Sequence, residues 1–181
     1  MEMLFILAQV VGVFSLVLYC ISMQINKRLT LLFFLMFVNI LNALVYCLLG
    51  SVAGCFISLI SVARLILFTW FDMNYLKCPP YVLFFFLTLE LFAGLMTYSH
   101  WYDILCLAEA MVVTYGTYCK NMTITRLAHL LSCILLFAFN IFVFAYANML
   151  SEAIGFVFTL IGIIRLDLLA NTKKRVKGKN V

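Results

Sequence analysis

The apolar residues of this chain run in stretches of about 20, one after another, from Leu4 to Leu169, with only brief polar breaks between them. A stretch of that length matches the hydrocarbon core of a bilayer, where only a helix or a closed barrel pairs every backbone group internally. With 67% hydrophobic and 10% charged residues in 181, too little polar surface exists to cover a soluble core. No separate soluble domain and no Ser/Gly/Pro-rich linker interrupts the series. The first stretch, Leu4 to Met23, follows Glu2 rather than a basic segment and ends without a small-x-small cleavage pattern, so it is expected to remain as a span.

The breaks fall at Asn26-Lys27-Arg28, Gly50-Ser51, Asp72 to Pro80, Ser99 to Asp103, Lys120 to Arg126 and Asn148 to Glu152. They predict seven spans over 4–23, 29–49, 52–71, 81–98, 102–119, 127–147 and 153–171. Pro79-Pro80 cannot lie inside a helix and places a loop between the third and fourth spans. Among the connections, lysine and arginine occur only on alternate ones: Lys27 and Arg28, then Lys77, then Lys120 and Arg126, then a tail with Lys173, Lys174, Arg175, Lys177 and Lys179. The other side carries Glu2, His100, Asp103 and Glu152. The positive-inside rule therefore predicts an outer N-terminus and a cytoplasmic C-terminus. The net charge of +5 resides mostly in the tail, which favours anionic lipid and carries no nucleic-acid footprint.

Compared with itself at an offset of 101 residues, the chain matches Asn39 with Asn140, Gly54 with Gly155 and Arg64 with Arg165, while Ser58 faces Thr159. At an offset of 100, Ala8-Gln9 meets Ala108-Glu109. The expected organisation is a three-helix repeat (1–76), a linker helix (77–100), a second three-helix repeat (101–172) and a basic cytoplasmic tail (173–181). An odd linker leaves the repeats parallel, related by an axis along the membrane normal, with a solute site at their interface.

The runs Ala8-Gln9-Val10-Val11-Gly12-Val13, Ser22-Met23-Gln24 before Lys27-Arg28, Leu48-Leu49-Gly50, and Ala63-Arg64 with its echo Ile164-Arg165 resemble bacterial inner-membrane proteins of the YgjV type. That resemblance implies a more distant likeness to the SWEET, PQ-loop and PnuC transporters, hence a 3+1+3 transporter-like fold, but carries over no activity. The chain departs from the PQ-loop pattern: no proline precedes Gln24, and no predicted span contains one.

Polar groups retained inside a bilayer are the first places to look for function. Asn39 lies about ten residues into the second span, near the midplane, and Asn140 is its counterpart; Asn42 shares the face of Asn39. The alternative for these amides is interhelical hydrogen bonding worth about 0.6 kcal/mol. Glu90 and Glu109 cannot be ionised against lipid, so each must be protonated, paired or facing a wet cavity. Glu109, matched by Gln9 in the other half, is the candidate proton carrier, and Glu90 is expected to be protonated and structural. Arg64 and Arg165 are expected near the inner mouth, either snorkelled to phosphates or facing the axis to gate it, with Asp72 and Asp167 as alternative partners.

The seven cysteines and two histidines lack metal-ligand spacing, so no metal, disulfide framework or other cofactor is expected. Nucleophile and phosphate-loop motifs are missing, which argues against an enzyme. The resulting expectation is an α-helical carrier or facilitator of a small polar solute, open to proton coupling and to homo-oligomerisation. Asn39, Asn140, Gln9, Glu109 and Asn42 would contact the solute. The rival is a non-transporting receptor or assembly module, which predicts a packed, dry centre with both arginines snorkelled.

Overall fold

A computed structural model describes residues 2–168 and is helical throughout. The helices are α1 (Glu2–Met23), α2 (Arg28–Leu48), α3 (Val52–Met73), α4 (Pro80–Met96), α5 (Asp103–Tyr118), α6 (Met122–Phe142) and α7 (Tyr146–Gly162), the last continued by a π-helical segment, Ile163–Leu168. The basic tail, 173–181, and the side chain of Asp167 lie outside the described residues. Five of the seven helices are long and apolar enough to cross a membrane; α4 is apolar but shorter, at 17 residues, and α5 has 16.

The first five helices follow the expected spans closely. Pro79 is the N-cap of α4 and Pro80 its first residue, where a missing N–H costs nothing. The last two do not follow them. The predicted break at Lys120 to Arg126 extends only to Asn121, whose Oδ1 accepts from Thr123 N at 2.9 Å and starts α6 five residues early. The predicted break at Asn148 to Glu152 is no loop at all. The chain turns instead at Val143–Ala145, with Phe144 at φ 56°, and both polar residues are buried in α7. Low hydropathy there marks an inward face rather than a connection.

Burial is inverted relative to a soluble bundle. Phe14, Phe56, Phe84, Phe85 and Phe92 point outward, while serines, threonines, Arg64, Arg126, Glu90 and Asn140 are buried. That distribution suits hydrocarbon as solvent. On α7 the buried positions are Asn148, Ser151, Glu152, Gly155, Thr159 and Gly162, the spacing of one helical face.

Six helices close a ring. α1, α2 and α3 pack in sequence, as do α5, α6 and α7, and the two sets meet where α3 touches α5 and where α1 touches α7. The neighbour relations of one half are thus those of the other. α4 packs outside the ring, against α3 and α5.

The three basic connections converge on one end and bond to one another. Arg28 at the start of α2 pairs with Asp72 at 2.6 Å and donates to the carbonyls of Thr117, within the end of α5, and Cys119, just beyond it. Arg126 in the first turns of α6 donates to Ile25 O at 3.1 Å, just past α1. Each half thus reaches across to the end of the other half's first helix. Lys120 joins at 3.0 Å to Asp72 and 2.9 Å to Leu76 O. Asp72 is therefore the partner of Arg28 and Lys120, not of Arg64.

Candidate functional site

The polar inner faces of the ring helices enclose a cavity of about 50 Å³ near the middle of the bundle. From the first half its wall takes Ser15 and Tyr19 on α1, Asn39, Asn42 and Tyr46 on α2, and Ser58, Ser61 and Arg64 on α3. From the second it takes Glu109 on α5, His129 and Ser132 on α6, and Ser151 and Glu152 on α7. All six ring helices contribute, and α4 does not. Toward the basic end it is backed by the apolar packing of Met23, Leu31, Leu32, Leu35 and Leu65. Toward the opposite end, Ile57, Cys106, Ala110 and Phe139 pack around Tyr46.

The helical spacing explains why these groups converge. In lipid a helix gains nothing by hiding leucine, but each polar side chain left facing hydrocarbon costs free energy, so the polar stripe turns inward. On α6 that stripe is Thr125, Arg126, His129, Ser132 and Cys133, all buried. On α3 it includes Ser58, Ser61 and Arg64.

Within the cavity wall, Ser15 Oγ donates to Asn42 Oδ1 at 2.7 Å, bridging α1 and α2. Asn39 Nδ2 donates back to Leu35 O at 2.8 Å, which leaves its carbonyl oxygen without a protein donor. Ser132 Oγ donates to Glu109 Oε1 at 2.8 Å. Tyr19 Oη and Cys133 Sγ lie 3.2 Å apart. Glu109 is thus held by a neutral neighbour, Ser132.

Arg64 is not snorkelled. Its side chain is 1% exposed and ion-paired with Glu90 at 2.6 Å, so the one charge of the linker helix is matched from α3. Nη1 of Arg64 also donates to Thr114 Oγ1, and the Thr114 hydroxyl lies 2.7 Å from both Glu90 oxygens. Glu90 is accordingly a paired carboxylate site behind the cavity wall rather than an isolated acid. The other predicted gate residue, Arg165, is exposed in the π-helical segment and takes no part in the cavity.

Of the five predicted solute contacts, Asn39, Asn42 and Glu109 line the cavity. Asn140 is fully buried away from it, with Oδ1 accepting from Tyr46 Oη at 3.0 Å, so it supports a cavity residue without reaching the space itself. Gln9 Oε1 accepts from Ala147 N at 2.7 Å and caps the first turn of α7. The sequence reading missed Glu152, His129 and the serines. Glu152 was assigned to an outer loop because it depresses hydropathy; the signal that finds it is the helical spacing of Asn148, Ser151, Glu152, Gly155 and Thr159.

No group of three or more His, Cys, Asp or Glu side chains among the described residues is arranged to hold a metal ion. A second pocket, of about 320 Å³, lies between the connections at the end opposite the basic one, bounded by Gly50, Ser51, His100, Asp103 and Phe144. Asp103 there accepts from the backbone N–H groups of Ser99 and His100, both at 2.9 Å, a local cap rather than a free acid.

No curated protein and no solved structure matches the chain. A family model does, over residues 6–169, which span all seven helices. The match, the lipid-facing apolar surface and the membrane-length helices agree: the chain is a multi-pass inner membrane protein and belongs to the Imp-YgjV family of bacterial inner membrane proteins.

Proposed function

We propose that the protein is a transporter or facilitator that carries a small polar solute through the central cavity. The observation behind this reading is the cavity wall itself, polar, near mid-bundle, and drawn from both three-helix halves while the linker helix stays outside. A pocket at such a seam changes access from one side to the other when one half rocks against its partner. The rival reading of a non-transporting module expects a dry, packed centre and two snorkelled arginines. Arg64 instead turns inward to Glu90.

In this scheme the reciprocal contacts of Arg28 and Arg126 hold the basic end closed, and a rocking motion has to part them. Uptake of a panel of radiolabelled small polar solutes into proteoliposomes tests the proposal, with protein-free liposomes and a Ser61→Phe variant as controls. Faster entry of at least one solute, abolished by filling the cavity at Ser61, is the expected result. Entry no faster than in protein-free vesicles for every solute, or flux insensitive to Ser61→Phe, counts against it.

A further inference from the structure

The charges around the cavity do not balance. Among the described residues the ion pairs are Arg28 with Asp72, Lys120 with Asp72, and Arg64 with Glu90. The single arginine of the wall is thus matched by Glu90, which leaves Glu109 and Glu152 facing the same space without a basic partner. Both sit in the second half, on α5 and α7, within electrostatic reach of each other. A third group points to a ligand independently. His129 is 6% exposed, its ring lines the cavity, and its Nε2 has no hydrogen-bond partner. In the tautomer protonated at Nδ1, that nitrogen is a bare acceptor.

The rest of the wall adds acceptors to these. Asn39 presents its carbonyl oxygen, which accepts from no protein donor while one amide hydrogen goes to Leu35 O; the hydroxyls of Ser58, Ser61 and Ser151 add further lone pairs. An ammonium group brings one positive charge and several N–H donors with no acceptor. An anion would meet two carboxyls, and a neutral solute would leave them unmatched.

We infer that Glu109, Glu152 and His129 form a subsite for a monovalent organic cation, a primary ammonium group, and that this cation exchanges there with a carboxyl proton. The inference rests on the transport reading for its purpose but not for its chemistry. Two buried carboxylates without a counter-charge are too costly to maintain, so either protons or a cation must balance them. When the ammonium enters, a carboxyl releases its proton to the other side of the exchange, and the charge of the cavity is unchanged. Tyr19, Tyr46, Cys106 and Cys133 are the other titratable neighbours of the cavity. They are neutral when protonated and do not compete for the cation. Arg64 stays matched by Glu90. Because the cation displaces a carboxyl proton, cation affinity rises with pH.

The test compares methylammonium, acetamide and acetate, similar in size but different in charge, by thermal stabilisation of the purified chain in nanodiscs, together with proton release in weak buffer. Methylammonium alone is expected to stabilise, more strongly as pH rises from about 6 to about 8, with about one proton released per cation bound. Glu109→Gln and Glu152→Gln, nearly isosteric, are each expected to weaken it about tenfold or more; size-exclusion and melting of the unliganded variants show whether they are folded. Stabilisation by acetamide equal to that by methylammonium, unchanged affinity in both folded variants, or no methylammonium effect at any pH overturns the site. Flux separates the two proposals: methylammonium binding without transport removes the carrier and keeps the subsite, whereas transport of a neutral solute without methylammonium binding does the reverse.

Discussion

Arg64 and Glu90 form an ion pair of 2.6 Å in which the side chains are 1% and 0% exposed, joining the ring helix α3 to the outer helix α4. Removing one partner of such a buried pair strands the other charge, which costs about 3–5 kcal/mol, while replacing both with apolar residues is far better tolerated. Glu90→Leu is therefore expected to lower the melting temperature sharply, and Arg64→Met with Glu90→Leu to recover most of the loss. A double mutant no more stable than Glu90→Leu alone would show that the pair is not what fastens α4.

Asn39 and Asn140, equivalent by sequence offset, are expected to behave differently. Asn39→Ala removes an acceptor from the cavity and should weaken solute binding while leaving stability within about 1 kcal/mol. Asn140→Ala removes the partner of the Tyr46 hydroxyl, so its main effect should be on stability, about 1–3 kcal/mol for a buried group left unpaired. Melting and ligand titration on the same samples separate the two outcomes.

At the basic end, Asp72 receives both Arg28 and Lys120, but the two contacts are unequal. Arg28 is 16% exposed and Lys120 47%, and an exposed lysine pair contributes little. Asp72→Asn should loosen the grip of Arg28 on the end of α5 and raise the labelling rate of Cys119 by a membrane-impermeant maleimide. Lys120→Ala should leave that rate almost unchanged. Labelling from the cytoplasmic face only would also establish the orientation that the basic connections predict.

Cys78 lies in the connection between α3 and α4, outside the spans. Burial pushes its thiol up from the ordinary value, with the Lys120 ammonium pulling the other way. Since the thiolate is the reactive form, alkylation of Cys78 should need higher pH than alkylation of a free cysteine. Lys120→Ala should move the rate profile further upward. A profile coincident with that of free cysteine would contradict the burial.

Gly116 on α5 meets α6 so closely that a Cβ there would lie 2.2 Å from the Cβ of Ala128. Neither atom can swing aside, so Gly116→Ala has to push the helices apart, at about 1–3 kcal/mol. The paired change Gly116→Ala with Ala128→Gly should restore much of the stability, read as a melting temperature.

Apolar length and turn chemistry alone specify the surrounding solvent, the number of helices and the loop at Pro79-Pro80. Those depend on local quantities: apolar length, backbone pairing and the ring of proline. The sequence also singled out Asn39, Asn42 and Glu109, which the fold places on the cavity wall, because a polar group deep in an apolar stretch has few places to go. It misplaced Glu152 and Arg126, since a dip in hydropathy looks the same for a loop and for a helix face turned inward; only the neighbours of that face distinguish them. It likewise could not pair Arg64 with Glu90, 26 residues apart, or separate Asn39 from Asn140. Which polar group is matched, which is held by a tyrosine and which faces the cavity was decided by the packing of helices distant in sequence. Charge balance is a property of the enclosed volume, and that volume exists only once the ring has closed.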